Sequence, residues 1–295
     1  MKRNISFLRF RYMAYIVSLS MLVVFTSLTV MQGGLNWGID FVGGIKLRVA
    51  FSEGVDAAGI RKTLSDNGIE ASVQRIGAET RNSYVISTKL LTDDKNTEKS
   101  YDRLWGIISS EFPGVEQLAL DSVGPTIGDY LKRSAIRLSV IAVILMMIYL
   151  AFRFELKYSL GAMAALFHDL ILAVLFCGML RIEINTSVIA ALLTIFGYSV
   201  NDTIVIFDRI RENVENETTP IFSDVINIGI SQSISRTLLT SLTTLFAVLA
   251  LYILGGDTIN DFALVLMFGV CVGTYSSVYV ASPVVLFCNN IFHKN

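Results

Sequence analysis

Charge is scarce in this chain. Asp, Glu, Lys and Arg make up only 17% of its 295 residues, against about a quarter in an ordinary soluble domain. Hydrophobic residues make up 53%, and the mean hydropathy is +0.58. Such a composition lies well away from a soluble globular fold. Lys and Arg number 24 against 25 acids, so no basic excess recommends a nucleic-acid partner. The three cysteines, Cys177, Cys271 and Cys288, all fall in apolar runs. None is left for a disulfide framework in the polar part, and neither spacing nor neighbouring ligands suggest a metal site. The polar part also lacks a nucleophile–base pair, a metal cluster and a phosphate loop, which points to binding rather than catalysis, with no cofactor.

What is present is a set of six apolar runs, at roughly 12 to 31, 134 to 152, 158 to 180, 186 to 207, 236 to 254 and 262 to 288. A run of about 20 such residues crosses a bilayer as a helix. The expected organisation is an N-terminal flank and first helix over 1–31, a polar domain over 32–133, and five more helices over 134–295 with a loop at about 208–235. Lys2, Arg3, Arg9 and Arg11 precede the first run, which sets the N-terminus in the cytoplasm and the polar domain outside. Six crossings then place Arg153, Lys157, Arg209, Arg211 and Lys294 inside, against Arg181 alone in the short outer loops. Lys132, Arg133 and Arg137 break the pattern, as long translocated segments are free to do. The first run ends in Met31-Gln32-Gly33-Gly34 without a small-x-small cleavage pattern, so an uncleaved anchor is expected.

The polar domain alternates strand and helix. Ile45 to Phe51, Ile69 to Ile76, Ser83 to Thr88 and Val115 to Val123 read as strands; Val55 to Asn67 and Thr97 to Glu111 read as helices. The order βαββαβ is that of the α+β ferredoxin-like sandwich. Lone acids such as Glu53 and Asp66 read as solvated surface. At the entrance stands Gly38-Ile39-Asp40-Phe41-Val42-Gly43-Gly44 and at the exit Val123-Gly124-Pro125. Both read as hinges around a turn with positive φ, or as ordinary turns where a domain meets a membrane.

Inside the apolar runs the polar residues recur on helical spacing. Thr194, Tyr198, Asn201 and Asp202 share one face of the fourth run, and Ser233, Arg236, Thr237, Thr240, Ser241 and Thr244 one face of the fifth. Two such stripes predict a hydrated seam; the plainer reading is hydroxyl cross-linking between helices. A carboxylate at membrane depth costs about 3 kcal/mol, which marks Asp202 as a proton or ion site. Asp202 and Arg236 lie at similar depth from the cytoplasmic side and are expected to meet, so that a small change in separation or hydration switches the proton on Asp202. His168-Asp169 sits mid-run in the third span; one of the two is expected to face the pathway, with Asp169 as a secondary proton site. Gly269-x-x-x-Gly273 reads as a packing ridge. Thr219-Pro220 reads as the start of a short helix along the cytoplasmic surface, with Ile221, Phe222, Val225 and Ile226 on its apolar face, or as a contact for another protein.

Taken with the run Gly197-Tyr198-Ser199-Val200-Asn201-Asp202-Thr203-Ile204-Val205-Ile206-Phe207-Asp208-Arg209, the two glycine motifs resemble the smaller subunit of the SecD/SecF protein-export family, in the resistance-nodulation-division superfamily. The likeness runs over essentially the whole chain. It implies a multi-pass inner-membrane subunit with a periplasmic domain and both termini cytoplasmic. Such a subunit pairs with SecD, works with the SecYEG translocon and YajC, and uses the proton motive force to complete export of unfolded preproteins. It implies further that the proton-transfer aspartate and arginine of the family fall on Asp202 and Arg236, a further aspartate coming from SecD. Protons, or sodium ions, would be the coupling ion. A proton-driven lipid or drug exporter and a non-transducing translocon scaffold remain the alternatives.

Overall fold

The computed structural model describes residues 6–52, 54–76, 82–90, 97–216 and 219–292; Lys2, Arg3, Glu53 and Lys294 lie outside the described residues. The elements are α1 (Arg11–Met31), α2 (Ile39–Val42), β1 (Gly44–Phe51), α3 (Ala57–Asp66), β2 (Ala71–Ile76), β3 (Asn82–Lys89), α4 (Thr97–Glu111), β4 (Glu116–Val123) and α5 (Pro125–Arg153). Then follow α6 (Leu156–Met179), α7 (Thr186–Glu215), α8 (Phe222–Leu254), α9 (Asp257–Ser276), a π-helical turn (Ser277–Ala281) and α10 (Ser282–Phe292). Six helical stretches are long and apolar enough to cross a membrane, the last being α9 to α10 taken together. The chain is a multi-pass membrane protein. Its contacts divide it into two units, one of Trp37–Leu138 with Glu183–Thr186, the other of the remaining residues. The first takes in Glu183–Thr186, far away in sequence.

The smaller unit carries a sheet of order β2-β3-β1-β4, every neighbour antiparallel. This is the ferredoxin-like arrangement expected from the element order. Ile45, Leu47, Val49 and Phe51 alternate onto one face of β1 because side chains along a strand point to opposite sides. Against them pack Ile60 and Leu64 of α3 and Leu104 and Ile108 of α4, each pair four residues apart and so on one helix face. β2 starts two residues later than the pattern suggests. Gly68 has φ 74°, its N–H bonds the Ser65 carbonyl, and the Ile69 N–H bonds the Leu64 carbonyl at 2.8 Å, so Ile69 closes α3 instead of joining the ladder.

Gly44 lies inside β1, paired with Lys89 on one side and Val123 on the other. A Cβ there would stand 2.4 Å from the Thr88 carbonyl oxygen and 2.8 Å from Cγ2 of Ile39. Gly44→Ala is therefore expected to destabilise this unit by about 2 kcal/mol, because the backbone neighbour has nowhere to go. A lowered thermal midpoint for the full chain in detergent would show it; an unchanged midpoint would mean that the strands can spread.

In the larger unit the helices exceed the spans drawn from hydropathy. Twenty-nine residues in α5 extend about 43 Å at about 1.5 Å per residue, well beyond a hydrocarbon core of about 30 Å. Lys132 and Arg133 thus sit on a helical extension that starts at Pro125, which is how these basic residues escape the apolar layer. The expected loop over 208–235 contracts to the short stretch between Glu215 and Phe222. Val225 and Ile226 are not the face of a surface helix but core residues of the first turns of α8, packed with Ile206, Phe207 and Ile210. Gly229 allows this, since a Cβ would meet the Ile210 backbone at 3.2 Å.

Candidate functional site

Asp202 is 1% exposed, buried at mid-length in α7. Two hydroxyls of α8 reach toward it: Ser241 Oγ, 3.3 Å from Oδ2, and that of the adjacent Thr240. The Ser241 hydroxyl also lies 2.6 Å from Thr274 Oγ1 of α9, and Thr274 donates to the Val270 carbonyl. Ser241 has a single hydrogen for two acceptors, so it holds the carboxylate loosely. Arg236 is exposed and makes no ion pair with Asp202 among the described residues. The expected ion pair is absent, and Arg236 acts on Asp202 through its charge at a distance.

The hydrated seam expected from two polar stripes is also narrower. Thr194, Ser233, Thr240 and Thr244 each donate to a carbonyl one turn back in their own helix. The hydroxyls of Tyr198 and Thr237 are buried with no hydrogen-bond partner. Asn201 points elsewhere: it is exposed and lines a groove of about 380 Å³ with Leu145, Tyr149 and Gly197.

Asp169 of α6 is 0% exposed. Its Oδ2 accepts from Ser199 Oγ of α7 at 2.5 Å and from Ser276 Oγ of α9 at 2.6 Å; its Oδ1 lies 2.9 Å from His168 Nδ1. Adjacent residues were expected to part company, one facing the pathway. Instead the imidazole folds back onto the neighbouring carboxylate. Ser199 and Asp202 are three residues apart on α7, and Thr274 and Ser276 two apart on α9, so the same two helices serve both carboxylates.

The two glycine motifs form one joint within the smaller unit. Gly43 has φ 75°, and a Cβ there would meet Cα of Pro125 at 3.1 Å; a Cβ on Gly128 would meet the Gly43 nitrogen at 3.0 Å. Gly38 N–H donates to the Ile184 carbonyl at 2.9 Å. Asp40 Oδ2 accepts from the backbone N–H of Thr186 at 2.9 Å and from its hydroxyl at 2.7 Å, and so caps the first turn of α7 with a carboxylate, where a negative charge is favoured. Gly124 makes no close approach of its own, but its carbonyl accepts the Gly128 N–H at 2.9 Å.

One pair had no place in the sequence reading. Arg153, at the end of α5, donates to both oxygens of Asp208 at 2.8 and 2.7 Å. Both are partly exposed, 38% and 42%, so the pair contributes about 1 kcal/mol at most. Asp208→Ala is expected to lower the thermal midpoint in detergent slightly. An Arg153→Asp, Asp208→Arg double exchange should restore it; a double variant weaker than either single change would show that the pair's orientation carries the effect. The signal was available, since both residues end runs assigned to the same side.

Residues 32–55 match the family described as the SecD/SecF GG motif, and residues 107–291 match Protein export membrane protein SecD/SecF, C-terminal. The chain belongs to the SecD/SecF family. Among its relatives in that family are the Protein translocase subunit SecF of Thermodesulfovibrio yellowstonii, 39% identical over 97% of this chain and 95% of that protein. The protein of the same name from Vibrio alginolyticus is 38% identical over 97% and 90%. The solved SecDF from Thermus thermophilus superposes with a TM-score of 0.84 at 32% identity, covering 98% of this chain and 39% of that one. A SecDF solved in a super-membrane-facing form gives a TM-score of 0.67 at 34% identity, over 96% and 39%. This family member thus spans 39% of the length of those SecDF chains.

Proposed function

We propose that this chain is the SecF subunit of a SecD/SecF accessory complex that draws on the proton motive force to promote late export of unfolded preproteins across the inner membrane. The observation that carries the reading is Asp202: a carboxylate 1% exposed within a span, met by the hydroxyls of Ser241 and Thr240 and in no ion pair among the described residues. A group so placed is poised to take and release a proton as its surroundings change. The chain is a translocase component and not an enzyme, with protons as the coupling ion in place of a cofactor; sodium is the variant to be distinguished. SecD is the proposed partner, supported by SecDF chains of which this one matches 39%. SecYEG and YajC complete the proposed assembly, and the termini are proposed to face the cytoplasm.

Vesicles containing SecYEG and SecD, with and without this chain, test the proposal. Export of a preprotein already engaged by the ATP-driven motor is expected to rise only when both the chain and a proton gradient are present. Stimulation that ignores the gradient would leave a scaffold; transport of lipid or drug without preprotein would leave an exporter; response to a sodium gradient alone would change the ion.

A further inference from the structure

The contacts around His168 and Asp169 fix the number of hydrogens the pair must carry. Tyr275 Oη donates to the Ala14 carbonyl at 2.6 Å, and a carbonyl can only accept. Tyr275 has no second hydrogen. The contact between Ser18 Oγ and Tyr275 Oη, at 3.0 Å, must therefore use the one hydrogen of Ser18. Ser18 Oγ also lies 3.0 Å from His168 Nε2, and with its own hydrogen committed it can only accept there. Nε2 must carry a hydrogen. On the other side of the ring, Nδ1 and Asp169 Oδ1 are 2.9 Å apart, and that contact needs a hydrogen from either atom. Ser199 and Ser276 supply donors to Oδ2 alone.

We infer that His168 and Asp169 form a proton-holding dyad, net neutral in this conformation, whose proton ties α1 to the helices that serve Asp202. Imidazolium with carboxylate, or imidazole with carboxylic acid, satisfies the count equally. Neutral imidazole beside an ionised carboxylate does not: three hydrogens remain for four contacts, so the His168–Asp169 contact opens if Nε2 keeps the ring hydrogen, and one of those running through Ser18 to Ala14 of α1 opens if Nδ1 keeps it. The dyad is 10% and 0% exposed. The titratable groups recorded around it are Tyr275, whose ring lies 6.3 Å from the imidazole, and behind it Tyr279 and Tyr15. Besides Tyr275, α7 and α9 bring to it the hydroxyls of Ser199 and Ser276. No lysine, arginine or second carboxylate makes a recorded contact with it among the described residues. Where Nδ1 keeps the remaining hydrogen, the contact that opens is one to α1, which is how the hydrogen count of the dyad acts on that helix. The dyad deepens the proposed proton coupling, but it rests on the hydrogen count and not on the role of Asp202.

The chain has one other histidine, His293, so His293→Gln leaves His168 as the sole reporter. Nitrogen-15 NMR of the histidine-labelled full chain in lipid bilayers at neutral pH reads each ring nitrogen directly. The expected spectrum has Nε2 protonated, with Nδ1 either protonated or accepting from a carboxylic acid. Infrared spectra separate those two, through a carboxylic-acid band lost in Asp169→Asn. Tyr275→Phe frees the Ser18 hydrogen and is expected to create a population with bare Nε2. Asp202→Asn should leave the His168 signals where they are. A wild-type spectrum with bare Nε2 and protonated Nδ1 would overturn the inference, as would a Tyr275→Phe spectrum identical to wild type. Neither readout involves export, so failure of the export proposal would leave this result standing, and the reverse.

Discussion

Replacing Asp202 by Asn is expected to remove the whole of the gradient-dependent increment in export while the chain stays folded and bound to SecD. Asn keeps the size of the side chain, and its amide oxygen can still take the Ser241 hydrogen now 3.3 Å from the carboxylate, but it cannot release a proton. Asp202→Glu keeps a titrating group at a displaced position and should retain part of the increment. Arg236→Met is expected to behave like Asp202→Asn, although Arg236 acts here without touching the carboxylate, because loss of the cation favours the protonated acid. Early, ATP-driven translocation should survive in all three. Export in vesicles with and without a proton gradient decides the matter: full stimulation by Asp202→Asn would reduce Asp202 to polar packing.

Gly269→Leu is expected to be the most damaging single change to the helix bundle. A Cβ at Gly269 would lie 2.2 Å from both Cδ1 and Cγ1 of Ile195, a buried residue of α7. The larger side chain must push α9 off α7, at a cost at the upper end of about 1–3 kcal/mol or beyond. Gly273→Leu is gentler at Cβ, 3.2 Å from the Ser199 Cβ, yet its bulk would displace the hydroxyl that bonds Asp169. Both variants should show a lower thermal midpoint in detergent and poorer recovery with SecD, Gly269→Leu by the larger margin. Normal stability and assembly with lost proton coupling would instead place the ridge in the ion path.

Much of this fold can be read directly from residue patterns. The alternation of Ile45, Leu47, Val49 and Phe51 and the paired Ile60 and Leu64 identify the sandwich, and the apolar runs identify six spans. Helix ends were less legible, because hydropathy marks where lipid begins and not where a helix stops; hence the early start of α5 at Pro125 and the continuous α8 through Val225 and Ile226. Spacing placed Asp202 and Asp169 as candidates. It could not say which hydroxyl would cross to meet them, since the same Ser or Thr satisfies itself on its own helix carbonyl unless a neighbour comes close. Ser241 crosses to Asp202 and Ser276 to Asp169; Thr194 does not. Asp40 was legible as part of a motif, but the N–H of Thr186, 146 residues on, which it caps, left no trace in local sequence.

The π turn at Ser277–Ala281 sets the rotational phase of the last span. In an α-helix, residues five apart point about 140° away from each other; where bonding runs from i to i+5, the turn is wider and the angle between them is much smaller. Ser276 bonds Asp169 of α6, while five residues later the Ala281 carbonyl lies 2.9 Å from where a Cβ on Gly161 of the same helix would stand. Pro283 has no N–H to offer the Tyr279 carbonyl, which the ordinary i to i+4 pattern would require. The extra residue in that one turn thus lets a single face of the span follow α6 at both ends, and the count of residues below Ser276, as much as its hydroxyl, is what aims it at the buried carboxylate.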